Sequence, residues 1–352
     1  MSQGRRGRVP RIQGECSVCG GKASGNNYNC YSCTACKEFF KRTITLGLQL
    51  NCRRGNMCYS DPTPRNSKCK HCRFVKCMTK DMFVTLAKVS KFKGYQTDTL
   101  ESTVGQLRYL DTRRTTRLMS KINFENPHLI DVVRRDRVRI IDQPPEYEKT
   151  FEDWQHLKLL TTIEFLKELD FMPNLEFEDQ MTLIRGFAAK ADLMFTSLRS
   201  MRSRFGQIMT PGGHEIVPTV VKSSDEKRDD DIDPTFREQI RSRLLGKLIE
   251  LEISDEEFLL VLAVLFCDPM NLEGPAQATV AKKRDYFASH LLQYCQLQNE
   301  ENPARYIDLL NIAGVLWANM TDIHDYATIV TLTMTSRNEP LTCKNLHIEV
   351  MS

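Results

Sequence analysis

Ten of the 13 cysteines in this 352-residue chain lie in one N-terminal segment, between Cys16 and Cys77. Eight of them have spacings that suit metal coordination: Cys16, Cys19, Cys33, Cys36, Cys52, Cys58, Cys69 and Cys72. In a C-x2-C pair the short loop brings two thiolates to one ion, and four thiolates complete the tetrahedral shell of Zn²⁺. The spacing therefore predicts two structural Zn²⁺ ions, with no open position for water or a substrate.

Metal binding is a better interpretation of this cluster than disulfide formation. The first residues, MSQGRRGRVPRIQG, contain no apolar core of the kind that a secretory signal needs. The longest apolar run, from Phe258 to Cys267, is too short to span a bilayer, so we expect no membrane partner. We therefore expect a reducing compartment, where disulfides are rare.

Two cysteines of the segment, Cys30 and Cys77, remain outside the eight. Cys30-x2-Cys33 has the same spacing as Cys33-x2-Cys36, so Cys30 could compete with Cys36 as the partner of Cys33. We favour Cys33 and Cys36 because they lie on the helix that is predicted to follow. Cys30 and Cys77 are then interpreted as packed free thiols.

The charge of the chain is unevenly distributed. Residues 1–93 hold 19 Lys and Arg against four acids, a net charge of +15, whereas the whole chain carries only +4 and the remainder therefore −11. A basic head on an acidic body indicates a polyanion-binding module joined to a second domain.

A helix from Cys33 to Ile44 would have two chemically different faces. At 100° per residue, one face is polar and mostly basic, with Thr34, Lys37, Glu38, Lys41 and Arg42, and the opposite face holds Cys36, Phe39, Phe40 and Thr43. The aromatic, metal-tied face is expected to pack inward, and the basic face fits a DNA major groove. Periodicity alone would equally allow an ordinary amphipathic surface helix.

The rest of the chain has the pattern of a helical domain. Apolar residues recur at helical spacing in four stretches: Leu100, Val104, Leu107 and Leu110; Phe165, Leu166, Leu169 and Met172; Leu183, Ile184 and Phe187; and Tyr306, Leu309, Leu310, Ala313, Leu316, Trp317 and Met320. The stretch 258–266 is apolar all round and predicts a buried helix, and 209–217, with Pro-Gly-Gly, predicts a turn or small hairpin. We expect a basic disordered tail over 1–12, a small zinc-stabilised α module over 13–82, a hinge over 83–99, and an all-α, multi-layer helical domain with a small hairpin over 100–352.

The runs CSVCGGKASGNNYNCYSCTACKEFFKR and CRRGNMCYSDPTPRNSKCKHCRFVKCMTKDM resemble the two halves of a nuclear hormone receptor DNA-binding domain, over residues 16–82. The chain departs from the usual pattern in four ways: one extra residue between Cys58 and Cys69, Gly21 in place of an acid, Asp81 in place of a glycine, and TACKE at the start of the first helix. The last of these concerns the DNA half-site and leaves the fold unaffected. TIEFLKELDFMPNLEFEDQMTLIRGF (162–187) and SDEEFLLVLAVLFCDP (254–269) resemble parts of the ligand-binding domain of the same family.

The resemblance implies roles for individual basic residues. Lys37, Glu38 and Arg42 would face base edges, while Lys41, Arg53, Arg54, Arg73 and Lys76 would contact phosphates. These side chains can make the hydrogen bonds that base recognition needs, since Arg and Lys donate to guanine and a Glu carboxylate accepts from cytosine. The segment 53–57 corresponds to a loop that makes dimer contacts in the family, with a receptor homo- or heterodimer as the implied partner.

The resemblance also implies a coactivator site, in which a short Leu-rich helix lies in an apolar groove. Lys167 and Arg185 would form its basic clamp. LHIEVM (346–351) resembles the activation helix, with Glu349 as the acidic clamp, although His347 occupies a position that is normally apolar. A frayed polar tail is the alternative. A pocket for a lipophilic small molecule, bordered by the hairpin at 211–214, is implied by resemblance only, and no ligand-contacting residue is assigned.

We therefore expect a sequence-specific DNA-binding transcription factor of the nuclear hormone receptor type. It would act in the nucleus on RNA polymerase II transcription, with double-stranded DNA and transcriptional coregulators as partners and a small lipophilic ligand as its control. The alternatives are a zinc-module protein–protein adaptor without DNA binding and a ligand-independent repressor. We do not expect an enzyme, because a metalloenzyme needs an open coordination position and a general base, and none of the seven histidines lies in an HExxH-like run.

Overall fold

The computed structural model describes residues 14–46, 50, 52–53, 58, 69–89, 99–120, 123–135, 138, 140–141, 146–217, 233–298, 302–336 and 344–351. The predicted tail over 1–12 and Arg54 lie outside the described residues. The chain divides into two compact units, Met1–Thr116 and Arg117–Ser352. The fold class is confirmed: a small cysteine-rich module precedes a helical domain.

The first unit is built from a hairpin and short helices: β1 (Gly25–Asn27), β2 (Cys30–Ser32), α1 (Thr34–Thr45), α2 (Lys70–Thr79), α3 (Leu86–Val89) and most of α4 (Leu100–Leu118). β1 and β2 pair antiparallel, with Asn27 opposite Cys30. The two residues between them, Tyr28 and Asn29, have φ of 54° and 71°, the backbone that a tight two-residue hairpin turn requires. α1 begins at the Cys33 cap, where the Cys33 sulfur accepts from the Cys36 amide, and this agrees with the predicted helix over 33–44.

Aromatic rings form the core of this unit. Phe40 on α1 is fully buried, with ring centroids of Tyr28 at 5.3 Å, Phe74 at 5.9 Å and Tyr109 at 6.4 Å. The Tyr109 hydroxyl, on α4, donates to the Val84 carbonyl oxygen at 2.8 Å. The first unit includes most of α4 because Tyr109 of this helix packs on the module's aromatic core.

Asp81, noted above as a departure from a glycine, lies just past the end of α2. Its φ is 60°, in the left-handed region that usually follows a helix. Aspartate is one of the few residues other than glycine that adopts this backbone at modest cost. The substitution is therefore compatible with the same helix end.

The second unit is almost entirely helical. Its elements are β3 (Asn123–Phe124), α5 (Leu129–Arg134), β4 (Ile140–Ile141), α6 (Phe151–Lys167), a 3-10 turn (Met172–Asn174), α7 (Phe177–Arg202), α8 (Pro234–Glu250), α9 (Asp255–Phe266), α10 (Gly274–Gln298), α11 (Arg305–Leu310), α12 (Ile312–Ser336) and α13 (Asn345–Met351), together with the end of α4. The long helix α7 lies in the interior and packs against α6, α8, α9 and α13. This arrangement is the multi-layer helical domain that the periodicity predicted.

The all-apolar stretch over 258–266 forms most of α9 and is buried, as predicted. Its start is set by a capping box: the Ser254 hydroxyl accepts from the Glu257 amide, and the Glu257 carboxylate accepts from the Ser254 amide.

The predicted hairpin is a bridge between Met209 and Glu215. Gly213 lies in the turn of this hairpin and has a φ of 81°, which favours glycine. A Cβ atom on Gly212 would lie 2.2 Å from the indole nitrogen of Trp154. Both positions therefore require glycine.

The predicted apolar stripe over 306–320 requires a correction. The chain forms two helices, α11 and α12, and the buried residues are Leu309, Ile312, Leu316 and Asn319. Trp317, predicted to be on the stripe, is 52% exposed. Asn319 is on the buried side of α12 instead and faces α8, where its side-chain amide donates to the Ile240 carbonyl oxygen at 3.1 Å and accepts from the Leu244 amide at 3.2 Å.

His156, on α6, is buried within the second unit. One ring nitrogen, Nε2, lies 2.9 Å from the Glu125 carbonyl oxygen, and the other, Nδ1, has no hydrogen-bond partner among the described residues. Burial lowers the pKa of His156 to about 4. The folded protein therefore holds this imidazole neutral over the range in which an exposed histidine becomes protonated.

The free energy of unfolding of the second unit should fall as the pH is lowered from 7 to 5. The unfolded chain binds a proton at His156 below about pH 6.5 and the folded chain does not, so acid favours unfolding, by about 2 kcal/mol over this interval. Urea unfolding of the chain and of His156→Gln at both pH values tests this. Equal pH dependence in the two proteins would contradict it.

Candidate nucleic-acid interface

The first cysteine group combines the loop before β1 with the start of α1. The sulfur atoms of Cys16, Cys19, Cys33 and Cys36 all lie within 4.8 Å of one another, and Cys19 and Cys33 are 3.7 Å apart. Four sulfurs placed about 2.3 Å from a tetrahedral Zn²⁺ would be separated by roughly 3.8 Å. Because Cys36 lies inside α1, a metal ion held by this group would fix that helix directly to the loop.

The second group has the same geometry around the start of α2. The sulfur atoms of Cys52, Cys58, Cys69 and Cys72 also lie within 4.8 Å of one another, with 3.6 Å between Cys52 and Cys58 and 3.5 Å between Cys52 and Cys72. All eight cysteines singled out by their spacing are therefore brought into two sets of four. All-thiolate sets of this size leave no coordination position for a substrate, so they suit structural zinc.

Cys30 and Cys77 lie outside both groups. The Cys30 thiol donates to the Tyr31 carbonyl oxygen at 3.6 Å. Cys77 is fully buried on α2, and burial raises the pKa of its thiol to about 12. Its sulfur belongs to neither group of four. Cys77 is therefore a side chain of the core.

The two faces of α1 separate as the helical spacing predicted. Cys36, Phe39, Phe40 and Thr43 are buried, and Thr34, Lys37, Glu38, Lys41 and Arg42 are exposed or half-exposed. An α-helix with its side chains is about 10–12 Å in diameter, and the major groove is about 12 Å wide. This face is therefore of a size and charge that a major groove accepts.

Arg73, on α2, has a contact that the sequence did not suggest. Its guanidinium Nη2 lies 3.3 Å from the sulfur of Cys36 and its Cζ lies 4.5 Å from the centre of the Phe39 ring. The cation therefore links α2 to α1 beside the first cysteine group, where it offsets the negative charge of the thiolates. Of the other predicted phosphate-contacting residues, Arg53 is exposed and Lys76 half-exposed.

Comparison with known proteins agrees with both units. Residues 14–83 match the family description "Double treble clef zinc finger, C4 type", and residues 146–332 match "Ligand-binding domain of nuclear hormone receptor". The chain is 30% identical to nuclear hormone receptor family member nhr-167 of Caenorhabditis elegans, over 90% of this chain and 92% of that protein. The chain belongs to the nuclear hormone receptor family. It is also 28% identical to family member nhr-51 of the same organism, over 86% of this chain and 81% of that protein.

Membership of the nuclear hormone receptor family gives the cysteine groups their cofactor. The C4 zinc finger has two structural Zn²⁺ ions, and the two sets of four sulfurs fit them in number, donor type and spacing. Members of this family are transcription factors and are not enzymes. Among the described residues, none of the receptor's helices has the combination of length and hydropathy that a membrane span needs.

The receptor's predicted clamp residues lie on three different helices of the second unit. Lys167 is the last residue of α6, Arg185 is exposed on α7, and Glu349 is on α13. Lys167 and Glu349 both contact the short helix α5: the Lys167 amine donates to the Val132 carbonyl oxygen at 2.8 Å, and the Glu349 carboxylate accepts from the Leu129 amide at 3.0 Å. The structure thus brings two of the three residues, Lys167 and Glu349, to one helix.

A small cavity lined by both apolar and charged side chains lies beside α13 in this unit. Its volume is about 110 Å³, and its lining includes Lys158, Asp192, Thr196, Met320 and His347. Lys158 and Asp192 form an ion pair at 3.3 Å. Burial lowers the pKa of His347, although Asp192 acts in the opposite direction. The histidine at a position that is normally apolar in the activation helix therefore lies near a charged pair, although its Nε2 has no hydrogen-bond partner among the described residues.

Proposed function

We propose that this receptor is a sequence-specific DNA-binding transcription factor in which α1 enters the major groove. Lys37, Glu38 and Arg42 would read base edges, and the phosphates would be contacted by Lys41, Arg53, Arg54, Arg73 and Lys76. The observation that carries the proposal is the position of Cys36, a member of the first metal group inside the helix whose opposite face is basic and solvent-exposed. A helix fixed in this way can present base-reading side chains at a constant angle.

Regulation would follow from the second unit, acting on RNA polymerase II transcription in the nucleus. Zinc-module residues 13–82 would bind DNA, alone or as a receptor homo- or heterodimer, and the helical domain would recruit coregulators through Lys167, Arg185 and Glu349. The contacts of Lys167 and Glu349 with α5 support the assignment of these two residues as the two ends of the clamp. In these contacts the two side chains bind opposite ends of one short helix.

Ligand-independent regulation is the second candidate. Pockets that bind drug-sized ligands have volumes of about 300–1,000 Å³, whereas the cavity beside α13 measures about 110 Å³ and is lined in part by an ion pair. This cavity is smaller than a drug-sized lipophilic molecule requires, which supports the ligand-independent alternative.

The proposed DNA binding is tested by selecting duplexes from a random pool with the purified full chain. We expect one short half-site motif to be enriched, with binding that weakens steeply as salt rises, because phosphate contacts release counterions. The spacing of half-sites in the selected duplexes separates monomer from dimer binding. A protein–protein adaptor would enrich no sequence and retain no duplex at low salt.

A further inference from the structure

The helix held by Lys167 and Glu349 is part of the receptor itself. α5 has six residues, Leu129–Arg134, and is about 9 Å long. We propose that α5 occupies the receptor's own coregulator groove and competes with the partner helix for it. This inference rests on the proposed recruitment of coregulators, because it names the internal segment that controls access to that same site.

The ends of α5 are bonded in the way that a clamp binds a partner helix. At its start, the Glu349 carboxylate accepts from the Leu129 amide at 3.0 Å and lies 2.6 Å from Nδ1 of His128. At its end, the Lys167 amine donates to the carbonyl oxygens of Val132 at 2.8 Å and Arg135 at 2.5 Å. An acid at the amide end and a cation at the carbonyl end match the helix dipole.

The buried face of α5 has the spacing of a groove-binding helix. Leu129, Val132 and Val133 occupy positions i, i+3 and i+4 and are 0%, 0% and 8% exposed. Apolar anchors at these positions define helix-in-groove recognition. On the other side, Ile130 is 39% exposed and Arg134 is exposed, so α5 is amphipathic in the same sense as a partner peptide.

The surfaces around α5 are those assigned to the groove. α5 packs against α6, α7 and α13, the three helices on which the predicted clamp residues lie. The start of α13 is tied to the residues before α5: the Asn345 amide donates to Oδ1 of Asn126 at 3.0 Å, and the Asn345 side chain donates to the Asn126 carbonyl oxygen at 3.1 Å. α5 thus links the position of the activation helix to the occupation of the groove.

Direct competition follows because the clamp atoms cannot hold two helices at once. The Lys167 amine has three N–H donors, and two are directed at the end of α5. A tethered helix also acts at an effective concentration of about a millimolar. If α5 occupies the groove nine-tenths of the time, the apparent affinity for a free peptide falls about tenfold.

The test compares two substitutions on α5 in the full chain. Val132→Glu places a charge on its buried face, and Ile130→Glu places the same charge on its exposed face. The probes are a labelled helical peptide with leucines at i, i+3 and i+4, and a peptide with the sequence of residues 126–135, NPHLIDVVRR. We expect Val132→Glu to bind both peptides at least tenfold more tightly than the wild type, and Ile130→Glu to bind them as the wild type does.

The outcomes separate this inference from the function on which it rests. If the leucine peptide binds the wild type and Val132→Glu equally, α5 does not compete, and coregulator recruitment stands. If it binds neither chain while the selected duplex is still bound, recruitment fails and the competition fails with it. Should Val132→Glu not fold, hydrogen exchange in the wild type decides: saturating leucine peptide should accelerate exchange of the amides over 129–135, and unchanged protection would overturn the proposal.

Discussion

Replacing Cys72 with alanine is expected to remove one of two zinc ions and to weaken DNA binding by at least a hundredfold. Cys72 belongs to the second group of four sulfurs. Structural zinc contributes on the order of 10 kcal/mol to the folding of small zinc modules, so the loss of a thiolate should unfold that part of the module. The measurements are the zinc content per chain and the affinity for the selected duplex.

Cys77→Ala is the matched control for this substitution. Both cysteines lie on α2 and both are buried, 4% exposed for Cys72 and 0% for Cys77. Only Cys72 is in a metal group, so Cys77→Ala should keep two zinc ions and nearly the wild-type affinity. Two zinc ions in Cys72→Ala, or one in Cys77→Ala, would show that the groups are assigned wrongly.

Replacing Arg305 with methionine is expected to lower the free energy of unfolding of the second unit by about 3–5 kcal/mol, the usual cost of breaking a buried pair. Its guanidinium contacts both carboxylate oxygens of Glu257, at 2.8 and 2.7 Å, and donates to the Leu251 carbonyl oxygen at 2.7 Å. The Glu257 side chain is only 3% exposed. Burial would raise the pKa of Glu257, but hydrogen bonds from Arg305 and Ser254 outweigh it, so the pKa is lowered. The variant leaves this charge buried without its main partner.

Lys283→Met provides a comparison at similar distance but greater exposure. The Lys283 Nζ and Asp170 Oδ2 atoms are 2.7 Å apart, and the two side chains are 25% and 38% exposed. Solvent screening reduces such a pair to less than about 1 kcal/mol. Urea unfolding of the two variants should therefore give a large loss for Arg305→Met and a small one for Lys283→Met. Similar losses would mean that burial does not determine the contribution of these pairs.

The metal groups and the faces of α1 could be predicted from the sequence because both depend on local spacing. A C-x2-C pair closes around one ion wherever it lies in the fold, and the buried and exposed residues of α1 follow from 100° per residue. α9 could be predicted for the same reason, since it is apolar on every side and begins at a capping box.

Long-range partners explain what local spacing missed. The periodicity of Leu100, Val104 and Leu107 predicts a helix, but its place in the first unit depends on Tyr109 reaching the Val84 backbone. Asn319 was not expected in a core, because its partners are backbone groups of α8, about 80 residues earlier in the sequence. The role of α5 depends on Lys167 and Glu349, which both follow it in the sequence, 35 residues after Val132 and 220 residues after Leu129. The spacing of Leu129, Val132 and Val133 was the only local signal.

The central claim, that α1 reads base sequence, is tested most directly by measuring the affinity of Lys37→Ala for the selected duplex and for a scrambled duplex of equal length. If Lys37 contacts a base edge, its loss should cost about 1–3 kcal/mol, or roughly 5- to 150-fold, on the selected duplex only. Affinity for the scrambled duplex should be nearly unchanged. Equal losses on both duplexes would reduce Lys37 to a general electrostatic contact and contradict the reading of sequence by this helix.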